Sequence, residues 1–258
     1  MVFSSPAFLM LFLPLFFALY YLVPWRAKSL VILLGSYGFY AWWRVDFVIL
    51  FFAVTYWSYW TSLRMLSTLS EHDKKKWLTI GVAGNLATLG YFKYANFGVA
   101  SFNMALEGIG LDPAVTSWEA VILPIGISFY IFQAVSYLID VYRGDAEVSD
   151  SFLDFAAFIA LFPQLIAGPV LRYKDIAHQF YERTHTIEKF NEGALRFFSG
   201  FCKKVLIADT LASLADMMFA LDAPTVAESW LGILAYSCLL YTSPSPRDQR
   251  GSRMPSSA

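Results

Sequence analysis

The chain has 258 residues, a formal net charge of −1, 57% hydrophobic side chains and 15% charged ones, where an average soluble domain has about 25% charged residues. With 24 Phe, 15 Tyr and 8 Trp and a mean hydropathy of +0.51, it excludes an ordinary soluble globular domain and a basic nucleic-acid reader. It predicts instead an all-α polytopic membrane protein of multiple transmembrane helices plus re-entrant and interfacial helices.

No Lys or Arg precedes the first apolar run and no small-x-small cleavage site follows it. Residues 7–23 are therefore expected to stay as the first membrane helix, ended by Pro24. Residues 29–43 form a short second span, with Tyr37, Tyr40, Trp42 and Trp43 as its interfacial aromatic belt. Residues 47–66 and 77–92 are the third and fourth spans. Arg26 and Lys28 follow the first span, and Arg64, His72, Lys74, Lys75 and Lys76 cluster around the end of the third, whereas 94–118 holds no Lys or Arg. The positive-inside rule puts the basic loops in the cytoplasm, and the N-terminus and the 94–118 connection outside. Arg44 and Lys93 run against this pattern but lie near helix ends, where they can snorkel.

The next stretch, 123–143, reads LPIGISFYIFQAVSYLIDVYR. Thr116 and Glu119 have capping-box spacing for a helix start ahead of it, and Pro124 and Gly126 then interrupt that helix or start a second one. At 100° per residue, Gln133, Ser136, Tyr137, Asp140 and Arg143 fall within about 120° of one face. Charged groups are costly at the centre of a membrane helix, so such a stripe turns away from lipid. It is either a hydrogen-bonded seam between helices or the wall of a substrate path. Asp140 and Arg143, three apart, are placed for a local ion contact.

Residues 152–171 end in FPQLIAGPVL, and Pro163, Gly168 and Pro169 argue against one continuous helix. Arg143 before it and Arg172 and Lys174 after it put both flanks on the cytoplasmic side, which predicts a re-entrant segment; the alternative is a span kinked at proline. Broken backbone at that depth needs protein or a wet cavity around it. Residues 172–196 alternate basic and apolar side chains and read as an interfacial helix, on which His178 and His185 are surface residues without metal-ligand spacing. His72 reads as solvated loop. In 197–221, Lys203 and Lys204 lie roughly opposite Asp209 and Asp216; they are snorkelling lysines or an anion-attracting rim. Cys202 and Cys238 give neither a disulfide framework nor a metal site. The last apolar run, 229–241, spans about 13 residues where a bilayer needs about 20. The Ser-, Pro- and Arg-rich 242–258 that follows is expected to be a foreign or disordered tail on an N-terminal fragment.

Three motifs, 123–143, LFPQLIAGPVLRYKDI at 161–176 and GFCKKVLIAD at 200–209, together resemble the membrane-bound O-acyltransferase family, in its alginate-acetylating branch. FSSPAFLMLFLPL at 3–15 also fits that branch, and the likeness covers about residues 1–241. The resemblance implies a multi-pass protein of the bacterial inner membrane. It implies transfer of an acyl group from a cytosolic thioester, acetyl-CoA, with no cofactor held permanently. The receivers would be extracytoplasmic acetyltransferase partner proteins that load the polysaccharide, with membrane lipid around the protein and no nucleic acid involved. Funnels from the two sides meet at a buried histidine that serves as general base. That histidine follows a span beyond the point where this chain turns into TSPSPRD, and none of His72, His178 and His185 stands in its motif. No catalytic residue and no metal ligand is therefore assigned, and the chain alone is expected to be inactive. The residues expected to shape the passage are Gln133, Ser136, Tyr137, Asp140, Arg143, Gln164, Arg172, Lys174, Lys203 and Lys204. A transporter or flippase without acyl chemistry, or a non-catalytic scaffold, fits composition and topology equally; the motif set favours acyl transfer.

Overall fold

Proline and glycine mark some of the helix boundaries, Pro24 after the first helix and Gly126 and Gly144 around the central one. The computed structural model describes residues 5–109, 118–167 and 171–242, and every regular element among them is helical. A π-helical turn, Phe8–Phe12, runs without a break into α1 (Leu13–Leu22), which carries Pro14 at its second position. Then come α2 (Lys28–Ala41), α3 (Asp46–Leu66), α4 (Glu71–Gly108), α5 (Ile127–Arg143), α6 (Phe152–Ala160) and α7 (Phe162–Ala167). The short turns α8 (Tyr173–Ile176) and α9 (His178–Tyr181) complete one compact unit, Ala7–Glu182. The second unit comes chiefly from Arg183 onward. It contains α10 (Ile187–Cys202), a π-helical segment Lys203–Ala208, α11 (Asp209–Phe219) and α12 (Val226–Thr242).

In the larger unit α5 is central, packed against α3, α4, α6 and α7. Tyr130, Ile131, Ala134 and Leu138 bury one side of it, and Phe155, Ala156, Ala157, Phe158, Ile159 and Ala160 are all buried along α6. Phe162, at the start of α7, is ringed by Phe8, Phe12, Phe16 and Phe39. The interior is also unusually polar: Ser58, Thr61, Ser62 and Asn85 are buried between α3 and α4. Asn85 Nδ2 donates to Ser58 Oγ at 3.0 Å and to Gly81 O at 2.9 Å. In the second unit α11 packs on α12, and both contact the π-helical segment.

Several expectations need correction. The fourth helix does not stop at 92; it runs 38 residues to Gly108, about 57 Å at 1.5 Å per residue, because no proline interrupts it. Lys74, Lys75 and Lys76 lie in its first turns rather than in a loop, with Lys74 Nζ 2.9 Å from Glu71 Oε1. Thr116 lies outside the described residues, and Glu119 is in non-helical chain: the helix starts at Ile127, after Pro124 and Gly126. The expected interfacial helix of 172–196 is instead two single turns, a non-helical 182–186 and α10, which continues through the π-helical segment into α11. The last helix has 17 residues rather than 13, and 243–258 of the expected tail lies outside the described residues.

No helix among the described residues is both long enough and apolar enough to cross a membrane. Most are shorter than the roughly 20 residues a hydrocarbon core requires. The two long ones, α3 and α4, are diluted by Ser, Thr, Tyr, Trp, Asn and Lys side chains.

Candidate functional site

The candidate site is the buried polar seam of α5 and the segments that close over it. α5 holds 17 residues without an internal proline or glycine, between two glycines with positive φ. Gly126 (φ 74°) is its N-cap and Gly144 (φ 74°) its C-cap. At the C-terminal end Asp145 N donates to Asp140 O at 2.9 Å and Gly144 N to Val141 O at 3.1 Å, which occupies carbonyls the helix leaves free.

The seam starts at Gly126. A Cβ placed there would lie 2.6 Å from Leu165 O, so only glycine lets α5 come this close to α7. One turn on, the Tyr130 ring sits 4.6 Å from that of Phe51. Gln133 Nε2 donates to Phe158 O at 3.2 Å. The Tyr137 hydroxyl accepts from Ser149 N at 3.1 Å and donates to Ser62 Oγ at 3.3 Å. Asp140 ends the seam, 2% exposed, with Oδ1 3.9 Å from Arg172 Nη1 and Oδ2 lacking a hydrogen-bond partner among the described residues. At that distance the pair is Coulombic contact without a formed hydrogen bond.

The segment carrying α7 and α8 closes this seam. α6 breaks at Leu161 (φ −49°, ψ 103°). Pro163 has no N–H to continue the α6 ladder and sits at the second position of α7, where that N–H is not needed. Leu161 O instead accepts from Gln164 N and Leu165 N, both at 3.0 Å. The broken helix expected within 152–171 is thus present, its break two residues ahead of the first proline. Residues 168–170, which include Gly168 and Pro169, lie outside the described residues. In α8, Tyr173 turns inward, its ring 5.1 Å from Tyr137 and 5.2 Å from Phe158. Arg172 and Lys174 flank it and reach Asp140 and Asp145, Lys174 Nζ lying 3.8 Å from Asp145 Oδ2.

Of the residues expected to shape a passage, Gln133, Tyr137 and Asp140 are buried in the seam, Ser136 is half-buried and Arg143 is exposed in the last turn. Gln164 is buried in α7, and Arg172 and Lys174 stand at the C-terminal end of α5. The ion partner of Asp140 is Arg172, not Arg143, since the last turn carries the Arg143 side chain out to an exposed position. Lys203 and Lys204 belong to the second unit and are exposed there. Lys204 is not opposed to Asp209: its Nζ lies 2.8 Å from Asp209 Oδ1. The π-helical turn, where Asp209 N donates to Lys204 O, brings residues five apart onto one face. Tyr130, Ser62, Ser149, Tyr173 and Asp145 also belong to the site; of these, Tyr130 and Tyr173 lie within the motifs 123–143 and 161–176.

His72, His178 and His185 are exposed. No group of acidic, histidine or cysteine side chains among the described residues could hold a metal ion. The seam offers hydrogen-bonding groups along its length, at Gln133 and Tyr137, and charge at its Asp140 end.

No protein-family model matches the chain, and no solved structure does. Among curated sequences, proteins named as probable alginate O-acetylases match. The one from Pseudomonas syringae pv. tomato is 56% identical over 242 residues, which is 93% of this chain and 46% of that protein. The Pseudomonas aeruginosa protein is 55% identical over the same shares. Over these 242 residues the chain is similar to the probable alginate O-acetylases. A peptidoglycan O-acetyltransferase of Helicobacter pylori is 31% identical, over 93% of this chain and 51% of that relative. The chain spans about half the length of these relatives. Identity of this degree over 93% of the chain takes in both units, and so both the α5 seam and the Lys203–Lys204 turn.

Proposed function

We propose that the chain forms part of a bacterial inner-membrane O-acetyltransferase of the membrane-bound O-acyltransferase type. It takes an acetyl group from cytosolic acetyl-CoA and passes it outward to extracytoplasmic acetyltransferase partners, which place it on alginate or a similar polysaccharide. The observation that carries this reading is the 52–56% identity to alginate O-acetylases across 242 residues.

The membrane setting draws support from an inverted distribution of polarity. Leu22 is 81% and Ile49 74% exposed, and Phe97, Met104 and Leu66 are exposed as well. Buried positions meanwhile hold Ser58, Thr61, Ser62, Asn85, Gln133 and Asp140. In water that arrangement leaves large apolar patches uncovered; in lipid it is the expected one. The basic residues between α1 and α2 and around the turn from α3 to α4 support an orientation with the N-terminus outside and the C-terminal end of α5 toward the cytoplasm. Arg143, Arg172 and Lys174 at that end would draw in an anionic donor, and the α5 seam would wall its route. The residues here provide binding and shape; the general base for acyl transfer is not assigned among them.

The test is a chimera. In a strain lacking its own alginate O-acetylase, the matching segment of the Pseudomonas aeruginosa relative is replaced by residues 7–241 of this chain, and acetyl groups on secreted alginate are measured. Restored acetylation is expected. A chimera that reaches the membrane at normal abundance yet leaves the polymer unacetylated sinks the reading.

A further inference from the structure

No residue of α10 is buried, along 16 residues. Its start is fixed locally, where the Thr186 side chain accepts from Lys189 N at 3.2 Å. Its one substantial neighbour among the described residues is the π-helical segment that continues it. A helix that leans on so little is marginal in water, so its two faces show what it is built to lie against. At 100° per residue, Ile187, Phe190, Ala194, Phe197, Phe198 and Phe201 fall within about 100° of one face. Ile187 is 81% and Phe198 60% exposed, and Phe190 and Phe197 are exposed as well. Lys189, Arg196 and Lys203 follow one another at intervals of seven, within about 40° of a line roughly opposite that face. Between residues 183 and 204 there are five basic side chains and two acidic ones, and one of the acids, Glu192, is already paired with Arg196.

We propose that α10 lies flat on the cytoplasmic leaflet, with its phenylalanine face among acyl chains and its basic ridge among anionic phospholipid headgroups. The placement rests on the membrane reading above; the recognition of anionic lipid goes beyond it. Glu188, Lys189, Glu192 and Arg196 exclude a spanning position for this helix. A helix divided into a Phe-rich side and a Lys- and Arg-bearing side seats its apolar face about 5–10 Å into the boundary between headgroups and chains. From that depth the long Lys and Arg side chains reach up into the phosphate layer, where an excess of basic residues favours anionic over neutral lipid. Against a protein groove the same ridge would face water and have no partner.

The test places single nitroxide labels on the full 258-residue chain, after Cys202→Ser and Cys238→Ser remove the native thiols. Phe190→Cys and Phe198→Cys report the apolar face; both side chains are exposed, so truncating them opens no cavity. Ser199→Cys and Gly200→Cys report the two sides of the ridge, and a carbon added at Gly200 meets nothing within 4 Å. Ile49→Cys, on α3, reports the membrane reading itself. Relaxation by oxygen, which concentrates in lipid, is compared with relaxation by a water-soluble nickel chelate, in phosphatidylcholine vesicles with and without phosphatidylglycerol. Labels at 190 and 198 should respond to oxygen and labels at 199 and 200 to nickel, and phosphatidylglycerol should cut the nickel response at 190 and 198. The triple variant Lys189→Gln, Arg196→Gln, Lys203→Gln should lose that lipid dependence. Labels at 190 and 198 shielded from both probes overturn the proposal, because protein then covers the face. An equal nickel response at 190, 198, 199 and 200 overturns it, because water does. Insensitivity to phosphatidylglycerol overturns it as well, because the ridge then recognises nothing. If position 49 faces lipid and 190 and 198 do not, the proposal alone falls. If 190 and 198 face lipid while 49 faces water, the spanning reading falls and the surface seating stands.

Discussion

Gly126→Ala tests the point where α5 and α7 are brought together. Gly126 sits at φ 74°, ψ 2°, in the left-handed region, where a side chain costs about 1–2 kcal/mol. The new methyl would also lie 2.6 Å from Leu165 O and 3.4 Å from Leu165 Cγ. The first contact is with backbone, so no rotamer change relieves it. α7 must retreat by several tenths of an ångström, against an interface of buried side chains, and forcing a core apart in this way costs about 1–3 kcal/mol. The combined loss is about 2–5 kcal/mol, read as a fall in Tm of roughly 2–4 °C per kcal/mol for a unit of this size. Gly144→Ala is the internal control. It has the same φ of 74° but nothing within 4 Å of its added carbon, so it should lose the conformational cost alone. Thermal unfolding of both variants in detergent isolates the steric contribution as their difference. If the two variants fall equally, α7 is not held against the start of α5, and the closed seam built on that contact fails.

Three further outcomes follow from the same geometry. Tyr137→Phe removes the acceptor for the buried Ser149 N–H and should cost about 1–3 kcal/mol; an unchanged Tm would show that the hydroxyl does not tie α5 to residue 149. Asp140 is buried and only loosely paired with Arg172, whose side chain is 52% exposed. Asp140→Asn should therefore hold or raise Tm, whereas Arg172→Gln, which strands the carboxylate, should lower stability by about 1 kcal/mol or less; the reverse order would mean a tight pair. Asp46, one residue before the expected third span, accepts a hydrogen bond from the Arg44 guanidinium, which with its charge holds the carboxyl below the usual carboxylate range. Because folding lowers that pKa, the stability it adds is present above the unfolded value and is lost as pH falls through the folded one. A carbon-13 titration of Asp46 should give a low midpoint that rises toward the ordinary value in Arg44→Gln.

How much of this was legible in the sequence depended on whether the signal was local. Pro124 and Gly126 ahead of α5 and Gly144 after it bound a helix whose polar face could be read by angle alone, and Gln133, Tyr137 and Asp140 are buried where that angle put them. Pro163 marked a break because its missing N–H acts on neighbours in the chain. Periodicity is silent about what stands opposite a side chain. Asp140 had a candidate three residues away in Arg143, yet its partner is Arg172, delivered by a fold in which α7 and α8 return over the seam. The π-helical turn at Lys203–Ala208 defeated an assumed 100° step and put Lys204 beside Asp209 rather than across from it. The end of α4 was misplaced for a related reason. A bilayer bounds the length of a span, while backbone chemistry sets where a helix stops, so the span expected over 77–92 lies inside a longer helix. With no proline between Glu71 and Gly108, nothing stopped it. The same distinction bears on the candidate site. Helix angle located the stripe, but the difference between Gln133, satisfied by Phe158 O, and Gln164, left open, came from tertiary contacts.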